Sequence, residues 1–351
     1  MMPKRRTRKY LAFVLVICLM QTLLNGCAFG EQKESSGEGK DSMTIGICFD
    51  TFVVERWMRD RDVFSYTASE LGAAVDVQNA NGNLEKQKDQ IKRFIKQKVD
   101  AIVIVPIDGN AITDLVVEAK DQGIKVIAYD RQIENADADL YISFDNEAVG
   151  RLMGQAIRDK AGDEAKVLMI CGPTSDSNVE SVETGFQEIV EESRLEVEDR
   201  VYIEGWKAEN VSSYLNNNDA ILDDVDAIMC GNDNLAGEVV RILSEKQMAG
   251  RVAVVGQDAD LEACQRIVEG TQLMTVYKSV ETMAKQAAEQ TIELIQGKEP
   301  NTGTCFDGTY QVPYIALEPQ AVTKENMEEV IISSGFHLKE EVYMNIPGES
   351  H

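Results

Sequence analysis

Residues 101–131 read AIVIVPIDGNAITDLVVEAKDQGIKVIAYDR and contain one complete strand–helix–strand pattern. Two β-branched apolar runs, 101–105 and 125–129, enclose a stretch whose apolar residues recur at helical spacing. Those residues are Ile112, Leu115, Val116 and Ala119. Continuous apolar strands that alternate with amphipathic helices are typical of parallel sheets with helices on both faces. This stretch therefore predicts an α/β fold.

The same alternation extends over most of the chain. Strands are predicted at 44–49, 74–78, 101–105, 125–129, 166–171, 201–204, 227–230, 252–256 and 273–277. A short strand with polar flanks in residues 137–145 interrupts the rhythm, and residues 297–311 are irregular after a last predicted helix over 280–296. We therefore predict two sheets rather than one. Crossings of the chain between them are predicted near 141–143, 274–276 and 310–317.

The size and charge of the chain limit the classes of function that it can have. The 351 residues fit about two domains of ~150 residues each. Asp plus Glu number 60 against 35 Lys plus Arg, for a net charge of −25, which argues against nucleic acid as a partner. The only two histidines are His337 and His351, which leaves little for a His-based metal site or a Ser-His-Asp triad. No metal site is predicted.

The N-terminus indicates export. Five basic residues precede an apolar run over 11–24 that is too short to span a membrane comfortably. The run ends in LNGC (24–27), which resembles a bacterial lipobox, in which the cysteine carries a lipid. We predict a signal peptide over 1–26, lipidation of Cys27, a flexible tether over 27–42 and an extracytoplasmic location on the membrane. An ordinary signal peptide or an uncleaved anchor is the alternative. The five later cysteines are predicted to be buried apolar residues.

Polar or aromatic residues follow nearly every predicted strand. They are Asp50, Pro106, Asp108, Asp130, Arg131, Pro173, Trp206, Asn232, Asp233, Asp258 and Lys278. The carboxyl ends of parallel strands meet at one edge, where ligands bind. Carboxylates accept hydrogen bonds from vicinal hydroxyls, Arg and Asn donate them, and Trp57 and Trp206 suit the C–H face of a sugar ring. These residues predict a site for a neutral polyol or sugar between two lobes.

Structural roles are the alternative for each of these residues. Asp145, Asp233 and Asp258 could be helix N-caps, and either tryptophan could belong to the core. Arg131 could simply pair with Asp130 or Asp62 at the surface. The clustering of polar and aromatic residues at so many strand ends favours the binding site.

Seven segments resemble a known family, the periplasmic D-xylose-binding proteins among the type I sugar-binding proteins. The segments are VERWMRDRD (54–62), QNANGN (78–83), AYDR (128–131), YISFDNE (141–147), GQDADL (256–261), TQLMTVYK (271–278) and GFH (335–337). The resemblance extends from about residue 43 to 337. It implies two Rossmann-like doubly wound lobes joined by a three-crossing hinge. The lobes would comprise 43–141 with 276–309, and 142–275 with 310–345.

The resemblance also implies a function. The protein would be a monomer without a cofactor that captures D-xylose by hinge closure and delivers it to the permease of an ABC transporter. Presentation of the sugar to a membrane histidine kinase is one alternative, and another pentose or hexose as the ligand is a second.

The family's site residues fall on matching positions of this chain. Arg56 and Trp57 would close one side of the sugar, and Trp206 would stack on it from the other lobe. The remaining polar contacts would be Asp130, Arg131, Asn178, Asn232, Asp258 and Lys278. Glu180 stands where the xylose-binding type has a lysine, which changes the local charge.

An enzyme is not predicted. The sequence has no Gly-x-Gly-x-x-Gly, phosphate loop, Gly-x-Ser-x-Gly or metal-binding His pair. Asp130 and Asp258 could imitate a glycosidase pair, but Arg131 and Lys278 beside them favour ionised hydrogen-bond acceptors. A DNA-binding repressor would need an N-terminal helix-turn-helix where this chain has its signal peptide.

Overall fold

A computed structural model describes residues 42–54 and 56–348. The predicted signal peptide, Cys27 and the tether up to residue 41 lie outside the described residues. None of the helices within the described ranges combines the length and the apolar character that crossing a membrane requires.

Two sheets organise the chain, as predicted. The first has seven strands in the order β11 (Gly303–Phe306), β12 (Gln311–Leu317), β5 (Leu140–Phe144), β4 (Lys125–Tyr129), β3 (Ala101–Ile104), β1 (Met43–Phe49) and β2 (Ala73–Asn79). The second has six strands in the order β13 (Gln320–Val322), β10 (Met274–Tyr277), β9 (Ala253–Gln257), β8 (Ala227–Cys230), β6 (Lys166–Cys171) and β7 (Glu196–Tyr202). All neighbours are parallel except β11 with β12 and β10 with β13.

Helices cover both faces of each sheet. They are α1 (Arg56–Glu70), α2 (Leu84–Gln97), α3 (Thr113–Asp121), α4 (Asn146–Ala161), α5 (Ser177–Glu192), α6 (Ala208–Asn217), α7 (Ile221–Asp224), α8 (Asp233–Glu245), α9 (Leu261–Glu269), α10 (Val280–Ile295) and α11 (Lys339–Val342). Apolar side chains of α1 and α10 pack on one face of the first sheet, and those of α2 and α3 on the other. On the second sheet the corresponding pairs are α4 with α5 and α6 with α8.

Helix α2 shows how local sequence sets an element. Its N-cap Asn83 accepts a hydrogen bond from the backbone N–H of Lys86, which satisfies one of the free donors of the first turn. Ile91, Phe94 and Ile95 recur at helical spacing and are buried. The apolar stripe therefore holds the helix against the sheet.

Two glycines bring α4 and α5 unusually close. A Cβ atom at Gly150 would overlap the carbonyl oxygen of Val182, and one at Gly185 would overlap that of Glu147. The two backbones are in contact near the middle of α5. In the first turn of α5, Asn178 accepts a hydrogen bond from Asn146 Nδ2 at the start of α4, at 2.9 Å.

The crossings between the sheets lie slightly later than predicted. Residues 141–143 and 274–276 belong to β5 and β10, so the chain leaves the sheets only after Phe144 and Tyr277. Residues 311–317 form β12, which pairs with β5 in the first sheet, so the assignment of 310–345 to the second lobe is wrong for that strand. Each segment stays hydrogen-bonded to its neighbours up to the end of its strand, and the chain crosses to the other sheet after that.

The predicted bounds of strand β7 are also wrong. It spans Glu196–Tyr202 rather than 201–204, and most of its residues are exposed. Only Val197 and Val201 of this edge strand pack against the cores, so it tolerates charged residues such as Glu196, Glu198 and Asp199. It therefore lacks the continuous apolar run that identified the buried strands.

Candidate functional site

All nine predicted site residues line one cavity between the two lobes. They are Arg56, Trp57, Asp130, Arg131, Asn178, Trp206, Asn232, Asp258 and Lys278. The cavity has an empty volume of about 540 Å³, part of which is open to solvent. Its walls are the carboxyl ends of strands from both sheets, as expected for parallel α/β sheets. Contact of these residues with a ligand stays a prediction.

Arg56 is at the centre of the charged part of the cavity. Its Nη1 atom lies 2.9 Å from Asp130 Oδ2 and 3.8 Å from Asp258 Oδ1. Asp258 Oδ1 also lies 2.9 Å from the Lys278 ammonium. Two carboxylates and two cations therefore share one buried network, which joins residues of both lobes.

The charge of Asp130 is stabilised by this network. Burial alone would raise the pKa of the Asp130 carboxyl, but the positive charges of Arg56, Lys278 and Arg131 lower it below its usual value. Asp130 is therefore ionised at neutral pH and accepts hydrogen bonds. Its Oδ1 atom accepts one from Asn178 Nδ2 at 3.0 Å, across the gap between the lobes.

Arg131 forms a second ionic cluster at the cavity wall. Its ion pairs are with Asp50 (Nη1 to Oδ2, 2.7 Å) and Asp176 (Nε to Oδ2, 2.6 Å), not with Asp62. Nη1 also donates to the carbonyl oxygen of Pro106 at 3.0 Å. Arg131 is 4% exposed, so the alternative of a surface ion pair is wrong.

The two tryptophans occupy opposite sides of the cavity. Trp57 is buried in the first lobe, and its ring lies 4.4 Å from the Arg56 guanidinium carbon. Trp206 is half-buried, and its Nε1 donates to Asp176 Oδ2 at 3.2 Å. A Cβ atom at Gly172 would overlap the Trp206 ring, so the bare backbone after β6 is what admits this side chain.

Several polar atoms of the cavity have no partner among the described residues. Arg56 Nη2 and Trp57 Nε1 are buried donors, and Gln257 Oε1 is a buried acceptor. An unmade buried hydrogen bond costs about 1–3 kcal/mol, so such atoms need an explanation. A ligand that both donates and accepts hydrogen bonds would satisfy all three.

The strand-end aspartates divide into caps and cavity residues. Asp145 accepts a hydrogen bond from the backbone N–H of Ala148 and is the N-cap of α4, which confirms the alternative of a capping role for this residue. Asn232, not Asp233, caps α8, since it accepts from the Leu235 N–H. Asp258 caps no helix and has a φ of 102°, so the cap interpretation is wrong for it.

Sequence reasoning missed three polar residues. They are Asp176, Glu183 and Gln257, which line the cavity. Asp50, one of the predicted strand-end residues, pairs with Arg131. Gln257 ends β9, so the strand-end signal was available for it, whereas Asp176 is the N-cap of α5 and Glu183 lies within that helix. Glu180, where the lysine is replaced, is exposed on α5 and does not line the cavity.

Two doubly wound lobes around a polar cleft define a type I periplasmic binding protein. Residues 45–299 match the periplasmic binding protein domain family, and the chain belongs to it. This confirms the family resemblance and the fold class that the sequence indicated.

The chain is 38% identical over 335 residues to the D-xylose-binding periplasmic protein of Escherichia coli, covering 94% of this chain and 98% of that protein. It is also 38% identical over 315 residues to the D-xylose-binding periplasmic protein of Haemophilus influenzae, covering 88% and 94%. A similar solved structure is an ABC transporter solute-binding protein from Clostridium phytofermentans with bound β-D-glucose. Its TM-score is 0.77 at 26% identity, over 85% of this chain and 99% of that one.

Proposed function

We propose that this protein binds one monosaccharide, D-xylose, in the cavity between its lobes and delivers it to an ABC transporter. The observation that carries the proposal is the convergence of the nine predicted residues on one cavity that also contains unpartnered donors and an unpartnered acceptor. A sugar hydroxyl donates one hydrogen bond and accepts others, so it satisfies both kinds of atom.

The chemistry of the walls supports a neutral polyhydroxylated ligand. Asp130 and Asp258 accept from hydroxyls, while Arg56 Nη2 and Trp57 Nε1 donate to hydroxyl or ring oxygens. The carboxylates are already balanced by Arg56 and Lys278, so the site does not demand a charged ligand. The tryptophan rings supply apolar surface for the C–H faces of the sugar.

The choice of D-xylose rests on the relatives. Two proteins that are 38% identical over most of their length are named for D-xylose binding. Glucose in the Clostridium phytofermentans protein shows that related sites accept a hexose, so another pentose or hexose is the competing ligand. Transport is supported by that protein's description as a transporter component.

Isothermal titration calorimetry on residues 42–351 tests the ligand. We expect one-site binding of D-xylose, tighter than that of ribose, galactose or glucose, with the xylose recovered unchanged from the complex. Tighter binding of another sugar would overturn the assignment of xylose. Conversion of the sugar would overturn a binding role, and an absence of binding to all four sugars would overturn the proposal.

Uptake in cells tests delivery. Deletion of the gene should abolish uptake of radiolabelled xylose at low external concentration, and the wild-type gene should restore it. Unchanged uptake together with the loss of a xylose-dependent transcriptional response would instead identify the sensing role beside a histidine kinase.

A further inference from the structure

Asp60 is a buried carboxylate directly behind the cavity wall. It lies one helical turn after Arg56 on α1 and is 1% exposed. Its Oδ2 atom accepts from Arg56 Nε at 3.3 Å, and its Oδ1 atom accepts from the Tyr129 hydroxyl. Asp60 does not line the cavity, and the lining residue to which it hydrogen-bonds is Arg56.

The guanidinium of Arg56 is held on three sides. Asp60 fixes the Nε edge, and Asp130 and Asp258 hold Nη1. The Trp57 ring packs against the Arg56 group at 4.4 Å from its carbon. Because the guanidinium is planar with donors in fixed directions, these contacts determine where the remaining nitrogen, Nη2, points. Nη2 is the buried donor that has no partner among the described residues.

Tyr129 connects this arrangement to the first sheet. It is the last residue of β4, is fully buried and directly precedes Asp130. Its hydroxyl ties the carboxylate on α1 to the strand that carries a predicted ligand contact. The hydrogen bonds that link Arg56, Asp60 and Tyr129 therefore set the position of Arg56 relative to Asp130.

We propose that Asp60 and Tyr129 are positioning residues that orient Arg56 Nη2 toward a ligand oxygen. The inference rests on the proposed function, because it requires a ligand that offers such an oxygen in the cavity. Neither residue contacts the ligand itself.

Protonation of Asp60 gives this arrangement a pH dependence. Burial raises the pKa of Asp60 to about 6, against the opposing effects of the Arg56 charge and the Tyr129 hydrogen bond. The ionisable groups that act on it are Arg56 and Tyr129, with the more distant carboxylate of Asp130. Above about pH 6 Asp60 is ionised and holds Arg56 Nε, and below it this charge is lost. Xylose affinity should therefore fall as the pH decreases through about 6.

Three variants test the inference by calorimetry with D-xylose. Asp60→Asn keeps the shape of the side chain but removes its charge, and Tyr129→Phe removes the hydroxyl. Asp62→Asn makes the same chemical change on the exposed side of α1, where the Asp62 side chain is 66% exposed, and serves as the control. Thermal unfolding checks that each variant is folded.

We expect Asp60→Asn to bind about ten-fold more weakly at neutral pH, the range of one charged hydrogen bond. The decrease in its affinity between about pH 7.5 and about pH 5 should be smaller than in the wild type, because Asp60 no longer titrates. Asp176, a lining residue whose carboxyl pKa burial also raises, is unchanged in this variant. Tyr129→Phe should weaken binding in the same direction, and Asp62→Asn should match the wild type. Wild-type affinity and an unchanged pH profile in Asp60→Asn would overturn the inference but not the proposed function. If Asp60→Asn does not fold, the same result in folded Tyr129→Phe would overturn it. Wild-type protein that bound no sugar would overturn the proposed function as well.

Discussion

Asp145 and Asp258 show that one residue type after a strand takes two different roles. Asp145 follows β5 and caps α4 through the Ala148 N–H. Asp258 follows β9, adopts a left-handed backbone conformation and faces Arg56 and Lys278 in the cavity. The difference is conformational, since a cap needs an extended backbone at the helix start. Of these two aspartates, Asp258 is the one whose carboxylate lines the cavity between the lobes.

The two aspartates make a matched pair for mutation. Asp258→Asn should reduce xylose affinity about ten-fold, because neutral hydrogen bonds to hydroxyls replace charge-assisted ones. Asp145→Asn should leave both affinity and melting temperature close to wild type, since Asn caps helices about as well as Asp. Calorimetry and thermal unfolding of both variants give the comparison. Equal affinities for Asp258→Asn and wild type would place the ligand away from Asp258.

At the scale of elements, the short turn after β7 positions Trp206. The turn Glu204–Trp206 is a 3₁₀ helix in which Trp206 itself has a φ of 57°. Its ring packs over the backbone of Gly172 after β6 and close to Gly231 after β8. The same ring contacts apolar residues on both faces of the second sheet. Two strand ends without side chains therefore make room for one aromatic wall of the cavity.

Replacing Gly172 tests this packing without removing the tryptophan. Gly172→Ala should displace the Trp206 ring, because the added methyl group overlaps it. We expect weaker xylose binding and a changed tryptophan fluorescence spectrum. Gly303→Ala is the control, since a Cβ atom there meets only the Tyr314 carbonyl oxygen at 4.0 Å. Normal binding with an unchanged spectrum in Gly172→Ala would show that the ring position does not matter for the ligand.

At the scale of the molecule, side chains from the two lobes meet directly across the cavity. Arg131 Nε lies 2.6 Å from Asp176 Oδ2, and Asn178 Nδ2 donates to Asp130 Oδ1 at 3.0 Å. The backbone N–H of Gln132 donates to Ser177 Oγ at 2.9 Å. These contacts join the segment after β4 to the start of α5. Separation of the lobes would have to break all of them.

Closure should therefore accompany binding. A site built from both lobes is complete only when they meet, so xylose would favour the closed state. Small-angle X-ray scattering should give a smaller radius of gyration with saturating xylose than without sugar. The Asp258→Asn variant should need about ten-fold more xylose for the same change, in line with its weaker binding. Superimposable profiles with and without sugar would mean that the cleft is preformed.

Attachment to the membrane is a separate prediction that concerns Cys27, which lies outside the described residues. Cys27→Ser should release the protein from the membrane fraction, because the serine cannot take the thioether-linked lipid. Xylose binding should be unchanged, since the described elements begin at residue 43. Fractionation of cells followed by immunoblotting measures the release. Retention of the variant in membranes would favour an uncleaved anchor over 11–24.

The sequence by itself determined the α/β class and most of the charged residues that line the cavity. Strands buried on both faces form continuous apolar runs, so most of them could be located from such runs in the sequence. The carboxyl ends of such strands share one edge, and for this reason residues as distant in sequence as Asp130 and Lys278 could be assigned to one site. Arg56 and Asn178 were assigned to it only through the family resemblance. The sequence also indicated that Asp145 could be a helix N-cap.

Only the tertiary structure decided which partner each charged group takes. Arg131 pairs with Asp176 of the other lobe, and Arg56 is shared by Asp60, Asp130 and Asp258. Strands β7 and β12 likewise needed the assembled sheets. The edge strand β7 is recognised by its pairing with β6, and β12 by its pairing with β5. Local patterns record burial and periodicity, whereas ion pairing depends on distances between segments that the fold alone brings together.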